Sequence, residues 1–289
     1  MFKDLGVGVG LRPAHFDEFL NKKPKGIAWA EVITENYLAS SRGEYSRSIT
    51  VLEKIREQLP IALHGVSLSI GSVDPLNKSY LGRLKDLIKR VDPVVISDHL
   101  CWTSVAGQNL HDLLPLPYTQ EALSHVVERI QKVQELLGRR ILIENVSSYI
   151  EFAHSEMTEW EFIGEILHRA NCGILLDINN IYVSARNHKF DPIQYLKAIP
   201  VERIGQIHLA GHTDRGTHLI DTHDEPVCEE VWDLFSWVTQ NLGRFSSMIE
   251  RDDNIPQWSE LYAELMQIEK IRKEVRKSVT HTQTASAPL

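Results

Sequence analysis

The stretch 205–224 runs Gly-Gln-Ile-His-Leu-Ala-Gly-His, then a short loop, then Ile-Asp-Thr-His-Asp. It places four potential metal ligands, His208, His212, Asp221 and His223, within one short pass of chain. Imidazole together with carboxylate suits zinc, iron or manganese. Groups of the same kind follow apolar runs elsewhere: His64, His99, Glu144, Asp177 with Asn180, and Glu250. Taken singly, each has an ordinary reading. A histidine at a strand end is hydrogen-bonded, Glu144 or Asp177 caps the next helix, and Glu250 pairs with Arg251. Taken together, Glu144, Asp177, Asp221 and Glu250 would repel one another at a shared mouth unless cations were present. Two or three divalent ions would offset that charge.

The elements that would position these residues are short apolar runs alternating with longer amphipathic ones. Strands are expected over 7–11, 27–34, 61–64, 94–97, 140–143, 173–176, 204–209 and 247–249. Helices are expected over 44–59, 78–90, 119–137, 158–170, 192–198, 228–242 and 258–277. In the first helix Ile49, Leu52, Ile55 and Leu59 recur at helical spacing. Thr158 and Glu161 form a capping box. Such strand-helix units imply a parallel sheet, and eight of them suggest a closed α/β (β/α)8 TIM barrel, with a doubly wound open sheet as the alternative. In a barrel all the candidate ligands converge on the C-terminal mouth, where active sites lie. The glycines of Val7-Gly-Val-Gly-Leu11 lack the G-x-G-x-x-G spacing and read as a strand lightened where the barrel closes.

Weaker candidates surround the same mouth. Glu35 and Asn36 end the second strand. Asn109 and His111 lie in the segment 101–117, which is too long for a plain connector and is expected to cover a site. His212 is a candidate contact to a ligand or substrate. Cys101 reads as a small buried thiol. One domain, 1–277, is expected, followed by a disordered tail over 278–289 that lacks apolar periodicity.

Composition narrows the function classes. The 289 residues carry a formal charge of -8, which argues against a nucleic-acid partner. No apolar run approaches the length of a membrane span. The three cysteines, Cys101, Cys172 and Cys228, are widely spaced and give no disulfide framework, so a reducing cytoplasmic compartment is expected.

The motifs His64-Gly-Val-Ser-Leu-Ser-Ile-Gly71, Asp98-His99, Glu144-Asn145, Asp177-Ile-Asn-Asn180, His208-Leu-Ala-Gly-His212, Asp221-Thr-His223 and Glu250-Arg251 resemble, in order, the multinuclear non-heme iron-dependent oxidative enzymes. This is the family of the methanobactin-biosynthesis oxidase, and the resemblance spans about residues 5–275. That family in turn resembles the xylose-isomerase-like barrels, among them endonuclease IV. The resemblance implies one metal on His64, His99 and a bridging Glu144, and a second on Glu144, Asp177, His208 and Glu250. It implies a third on Asp221, His223 and Asn180, where endonuclease IV has a histidine in place of Asn180. His64, His99, Glu144, Asp177, His208 and Glu250 would then be the catalytic set, with Asn145 supporting it. Two to three irons, as Fe(II) and Fe(III), are implied, with zinc or manganese as alternatives. The implied reaction is O2-dependent oxidative modification of a residue, often cysteine, in a ribosomally synthesised peptide that a small partner protein presents. Competing functions are a metal-dependent phosphodiester hydrolase, a sugar isomerase or epimerase, and a non-catalytic metal-dependent peptide binder.

Overall fold

The structure, a computed structural model, describes residues 2–284. Short apolar runs form the strands β1 (Gly8–Gly10), β2 (Trp29–Ile33), β3 (Ile61–Gly65), β4 (Val95–His99), β5 (Trp102–Val105) and β6 (Gln108–Leu114). They are followed by β7 (Leu142–Glu144), β8 (Gly173–Asp177), β9 (Ile204–Leu209), β10 (Thr213–Asp214), β11 (Leu219–Ile220) and β12 (Ser246–Ile249). Eight of these strands make one parallel sheet in the order β1-β2-β3-β4-β7-β8-β9-β12. A parallel bridge between Val7 and Ser247 joins the first strand to the last, so the ring closes as the barrel expected from the sequence.

β3, β8 and β9 are buried at every position. That is why β3 and β8 carry the continuous apolar runs 61–63 and 174–176: one face meets the outer helices and the other fills the barrel. At the closing seam β1 needs Gly8, because a Cβ there would lie 2.2 Å from the Trp29 ring. The indole fills the space that a side chain on β1 would take.

The outer layer comprises α1 (Ser48–Arg56), α2 (Lys78–Val91), α3 (Gln120–Leu137), α4 (Glu159–Arg169), α5 (Ile178–His188), α6 (Pro192–Ala198), α7 (Glu229–Asn241) and α8 (Trp258–Thr284). Several of them start on side-chain caps. Asn77 accepts from Tyr80 N, Thr119 from Ala122 N, and Thr158 with Glu161 closes the capping box. In α1 the stripe Ile49, Leu52, Ile55 is buried against the barrel. Among the described residues no helix is long and apolar enough to cross a membrane.

The structure departs from the sequence expectations in four places. β4, β7 and β8 each run to include His99, Glu144 and Asp177, so these polar groups are the last residues of their strands. The segment 101–117, expected as a loop, contains the antiparallel hairpin β5–β6. The helix α5, which was not expected, starts immediately at the end of β8, with the Asp177 carboxylate accepting from Asn180 N. Finally, α8 continues to Thr284, so residues 278–284 of the expected tail carry helical backbone. No Gly or Pro interrupts the sequence before that point. Residues 285–289 lie outside the described residues.

Candidate metal centre

The barrel's alternation of inward and outward side chains delivers the candidate ligands to one place. In register, His99 on β4 faces Glu144 on β7, Asp177 on β8 faces His208 on β9, and His64 on β3 pairs with Ser97 on β4. Glu250 follows directly on β12. Three groups result whose ligand atoms lie within 4.8 Å of one another: His64, His99 and Glu144; Glu144, Asp177, His208 and Glu250; and His223, Glu250 and Asp252. Glu144 belongs to the first two groups and Glu250 to the last two, so the three form one chain of potential ion sites.

The histidines are held from behind with one nitrogen facing inward. His64 Nδ1 lies 2.8 Å from Ser97 Oγ, while Nε2 lies 3.2 Å from Glu144 Oε2. His99 Nδ1 lies 3.1 Å from the Gly65 carbonyl, and its Nε2 is 3.4 Å from the same Glu144 oxygen. His208 Nδ1 is 2.8 Å from Glu250 Oε2 and 3.6 Å from Glu144 Oε1. His223 has backbone φ 52°, a left-handed conformation that is rare outside glycine. It places Nε2 at 2.7 Å from Asp221 Oδ1 and Nδ1 at 3.0 Å from Asp252 Oδ2.

A metal fits here because of which atoms lack partners. Buried polar atoms are normally hydrogen-bonded. Yet His64 Nε2, both Glu144 oxygens, Asp177 Oδ2 and Asn180 Oδ1 are buried without a hydrogen bond, and His208 Nδ1 and His223 Nε2 meet Glu250 and Asp221 at 2.8 and 2.7 Å without hydrogen-bond geometry. The unpartnered atoms are lone-pair donors turned towards a common centre. The set is nitrogen and oxygen only, which suits iron, manganese or zinc.

The electrostatics tell the same story. Burial pushes the Glu144 carboxyl up from its ordinary range, and burial followed by the charges of Glu144 and Asp221 pushes Asp177 up. Burial would raise Glu250 as well, but His208 and His223 outweigh it and hold that group well below the carboxylate range. Burial opposes a charge on His208, but Glu31 and Glu250 carry it well above the ordinary imidazole value. Asp221 and Glu250 do the same for His223 against the burial effect. The carboxylates crowd one another at the centre, and cations held there would relieve that crowding.

Asp221 stands beside the third group: its Oδ1 also accepts from Asn179 Nδ2 at 2.6 Å and its Oδ2 from Ser147 Oγ at 3.2 Å. Asn180 donates through Nδ2 to the Asn145 carbonyl, leaving Oδ1 facing the centre. Asn145 brackets Asp177, donating to its carbonyl at 2.9 Å and accepting from its N–H at 3.0 Å. His212 is turned away to Asn179 Oδ1 at 2.8 Å and the Tyr182 ring. Above the ligands opens a cavity of about 670 Å³, lined among others by Glu35, Asn109, His111, Asn180 and Asp221. Asn36 is exposed and does not line it. The hairpin β5–β6 walls one side. It is pinned by Asp74, which accepts from Ala106 N and Gly107 N, and by Ser69 Oγ, which accepts from Thr103 N.

Two residues at the site were missed in the sequence. Asp252 has the same two-residue spacing from Glu250 that joins Asp221 to His223, and that signal could have found it. Glu31 is a carboxylate in the middle of an otherwise apolar strand, 2.8 Å from His208 Nε2.

Comparison with known proteins adds a family. The family model described as RiPP precursor modification enzyme MbnB/TglH/ChrH matches residues 6–273. A UPF0276 protein of Anaeromyxobacter sp. (strain Fw109-5) is 56% identical over 260 residues, covering 90% of each chain. A UPF0276 protein of Vibrio parahaemolyticus is 43% identical over 284 residues, covering 97% of each. Among solved structures, an L-ribulose 3-epimerase superposes with TM-score 0.60 at 13% identity, over 98% of this chain and 97% of that one. A D-tagatose 3-epimerase-like protein gives TM-score 0.55 at 17% identity, over 96% and 99%. At such identities the structures support the TIM-barrel fold and nothing about chemistry.

Proposed function

Because the chain belongs to the family of RiPP precursor modification enzymes MbnB/TglH/ChrH, we propose that it oxidatively modifies a residue, cysteine first among them, in a ribosomally synthesised peptide. The reaction would use O2 and two to three irons held at the barrel mouth. The observation that carries this reading is the convergence of buried nitrogen and oxygen donors, most of them without a hydrogen bond, from the C-terminal ends of six barrel strands.

In this reading Glu144, shared by two ligand groups, would serve both the His64–His99 site and the Asp177–His208–Glu250 site, and Glu250 would serve the latter and a site at His223 with Asp252 or Asp221. Bound iron would supply a place for a substrate thiolate and the redox capacity to use O2. The rest is the work of the chain. The strand ends hold the donors at fixed spacing, and the pinned hairpin limits access of water on one side. Glu35, Asn109 and His111 face the cavity, where they would meet the peptide. The described cysteines are poor candidates for the reacting thiol: Cys101 and Cys172 are fully buried, half-buried Cys228 does not line the cavity, and burial raises all three thiols, Cys172 to about 12. The thiol therefore comes from the substrate. A small partner protein that presents the peptide completes the proposal, and the free cysteines suit a reducing cytoplasm.

The test is O2 uptake by anaerobically purified, iron-loaded protein on addition of a cysteine-containing precursor peptide, with the product followed by mass spectrometry. The expected result is O2 consumption coupled to a mass change of the peptide. A loaded protein that leaves the peptide unchanged but cleaves phosphodiesters would overturn the reading in favour of the hydrolase.

A further inference from the structure

Behind the candidate ligands, on the side away from the open cavity, β2 contributes a carboxylate that belongs to none of the three ligand groups. Glu31 sits at the centre of that strand, in register with Gly10 on one side and Ala62 on the other, and is 3% exposed. Its Oε1 lies 2.8 Å from His208 Nε2, and its Oε2 accepts from Gln206 Nε2 at 2.6 Å. Gln206 precedes His208 by two residues on β9, so both side chains point to the same inner face. Neither Gln206 nor His208 is exposed at all.

The choice of ligating nitrogen decides which ring nitrogen of His208 carries hydrogen. Both face a carboxylate at the same distance: Nε2 lies 2.8 Å from Glu31 Oε1 and Nδ1 lies 2.8 Å from Glu250 Oε2. Nδ1 is the one directed at the central ligand group, towards Glu250 and Glu144. With an ion held there, the Nδ1 lone pair goes to the metal and the ring hydrogen is left on Nε2, where Glu31 is the acceptor. His64 and His99 have neutral groups behind them, the Ser97 hydroxyl and the Gly65 carbonyl. His208 has an anion behind it.

We propose that Glu31, held in place by Gln206, is the positioning residue for His208: it fixes the Nδ1-donor tautomer and makes that ring the more basic ligand of the central ion. A carboxylate behind a ligating histidine does this in metal sites generally, and its loss weakens metal binding by about 10–100-fold. The inference rests on the metal occupancy proposed above.

The experiment is a titration of metal-free protein with Co(II), followed by absorption and by competition with a chelator, together with thermal unfolding of the metal-free protein. Wild type and Glu31→Gln are compared. The expected result is Co(II) affinity at the central site weakened by about 10–100-fold in a variant that still unfolds cooperatively. A purely structural role would lower the unfolding temperature of the metal-free protein and leave affinity intact. Unchanged affinity in the folded variant overturns the assignment. If Glu31→Gln does not fold, Gln206→Ala carries the same test, because it leaves the carboxylate but frees it; weaker binding is expected and wild-type binding overturns the assignment. A wild type that takes up no Co(II) sinks the metal reading and this role with it, whereas a wild type that binds beside a Glu31→Gln variant that binds equally sinks this role alone.

Discussion

Replacing Glu144 by glutamine keeps the shape of the side chain and removes one charge from the point where two ligand groups meet. In the metal-free protein the change should be nearly neutral, because burial already pushes the Glu144 carboxyl up and so weakens the charge that glutamine removes. In the loaded protein the change should be large. An ion at about 100 times its Kd stabilises the fold by about 2.7 kcal/mol, so two ions dependent on Glu144 give about 5 kcal/mol. For a chain of this length that is roughly 10 °C in Tm. Anaerobic thermal unfolding with and without Fe(II), alongside metal content, reads both states. Wild type should gain roughly 10 °C on loading, and Glu144→Gln should gain little and retain neither ion. A variant with the full wild-type gain would refute the bridging role.

Other predictions follow from the same geometry. Asn180→Ala removes an unpartnered amide oxygen at the edge of the cluster and should lower metal content by no more than one ion; wild-type content would remove Asn180 from the ligand set. Because Glu31 and Glu250 hold His208 above the ordinary imidazole range and Asp221 and Glu250 do so for His223, metal binding near pH 7 should release protons and strengthen as pH rises. Calorimetric titrations in buffers of different ionisation enthalpy measure this, and a heat independent of buffer would contradict it. Far from the mouth, burial pushes the Glu159 carboxyl up to about 7, where Tyr195 Oη donates to it at 2.8 Å. Unfolded, it ionises near 4.5, so the folded state holds the extra proton between those values and stability falls with rising pH across that window. Denaturation at pH 5 and 7.5 should show a shallower loss for Glu159→Gln than for wild type; equal slopes would show that the carboxyl is not neutral in the fold.

The barrel was legible because strands buried on both faces must be continuous apolar runs, and a polar residue that ends such a run stands out. His64, His99, Glu144, Asp177 and Glu250 all had that signature. α5 was not legible for the opposite reason. Its first turns carry Asn179, Asn180 and Ser184, buried beside the site, so the helix shows polar residues where an apolar stripe would mark it. The hairpin β5–β6 was hidden by a register shift between Trp102 and Ser104 and by His111 at φ 54°, which break strand alternation. Glu31 and Gln206 lie in mid-strand, away from the strand ends where the other ligands gather. A carboxylate in mid-strand, where neither face meets water, needs a buried partner, and that alone could have marked it.

The measurement that bears most directly on the central claim is the metal content per chain of protein purified anaerobically from iron-supplemented cells, by mass spectrometry with Mössbauer spectroscopy. Three overlapping ligand groups predict two to three irons per chain, with both Fe(II) and Fe(III) represented. Stoichiometric zinc without iron, or no metal at all, would contradict the iron-dependent oxidative account.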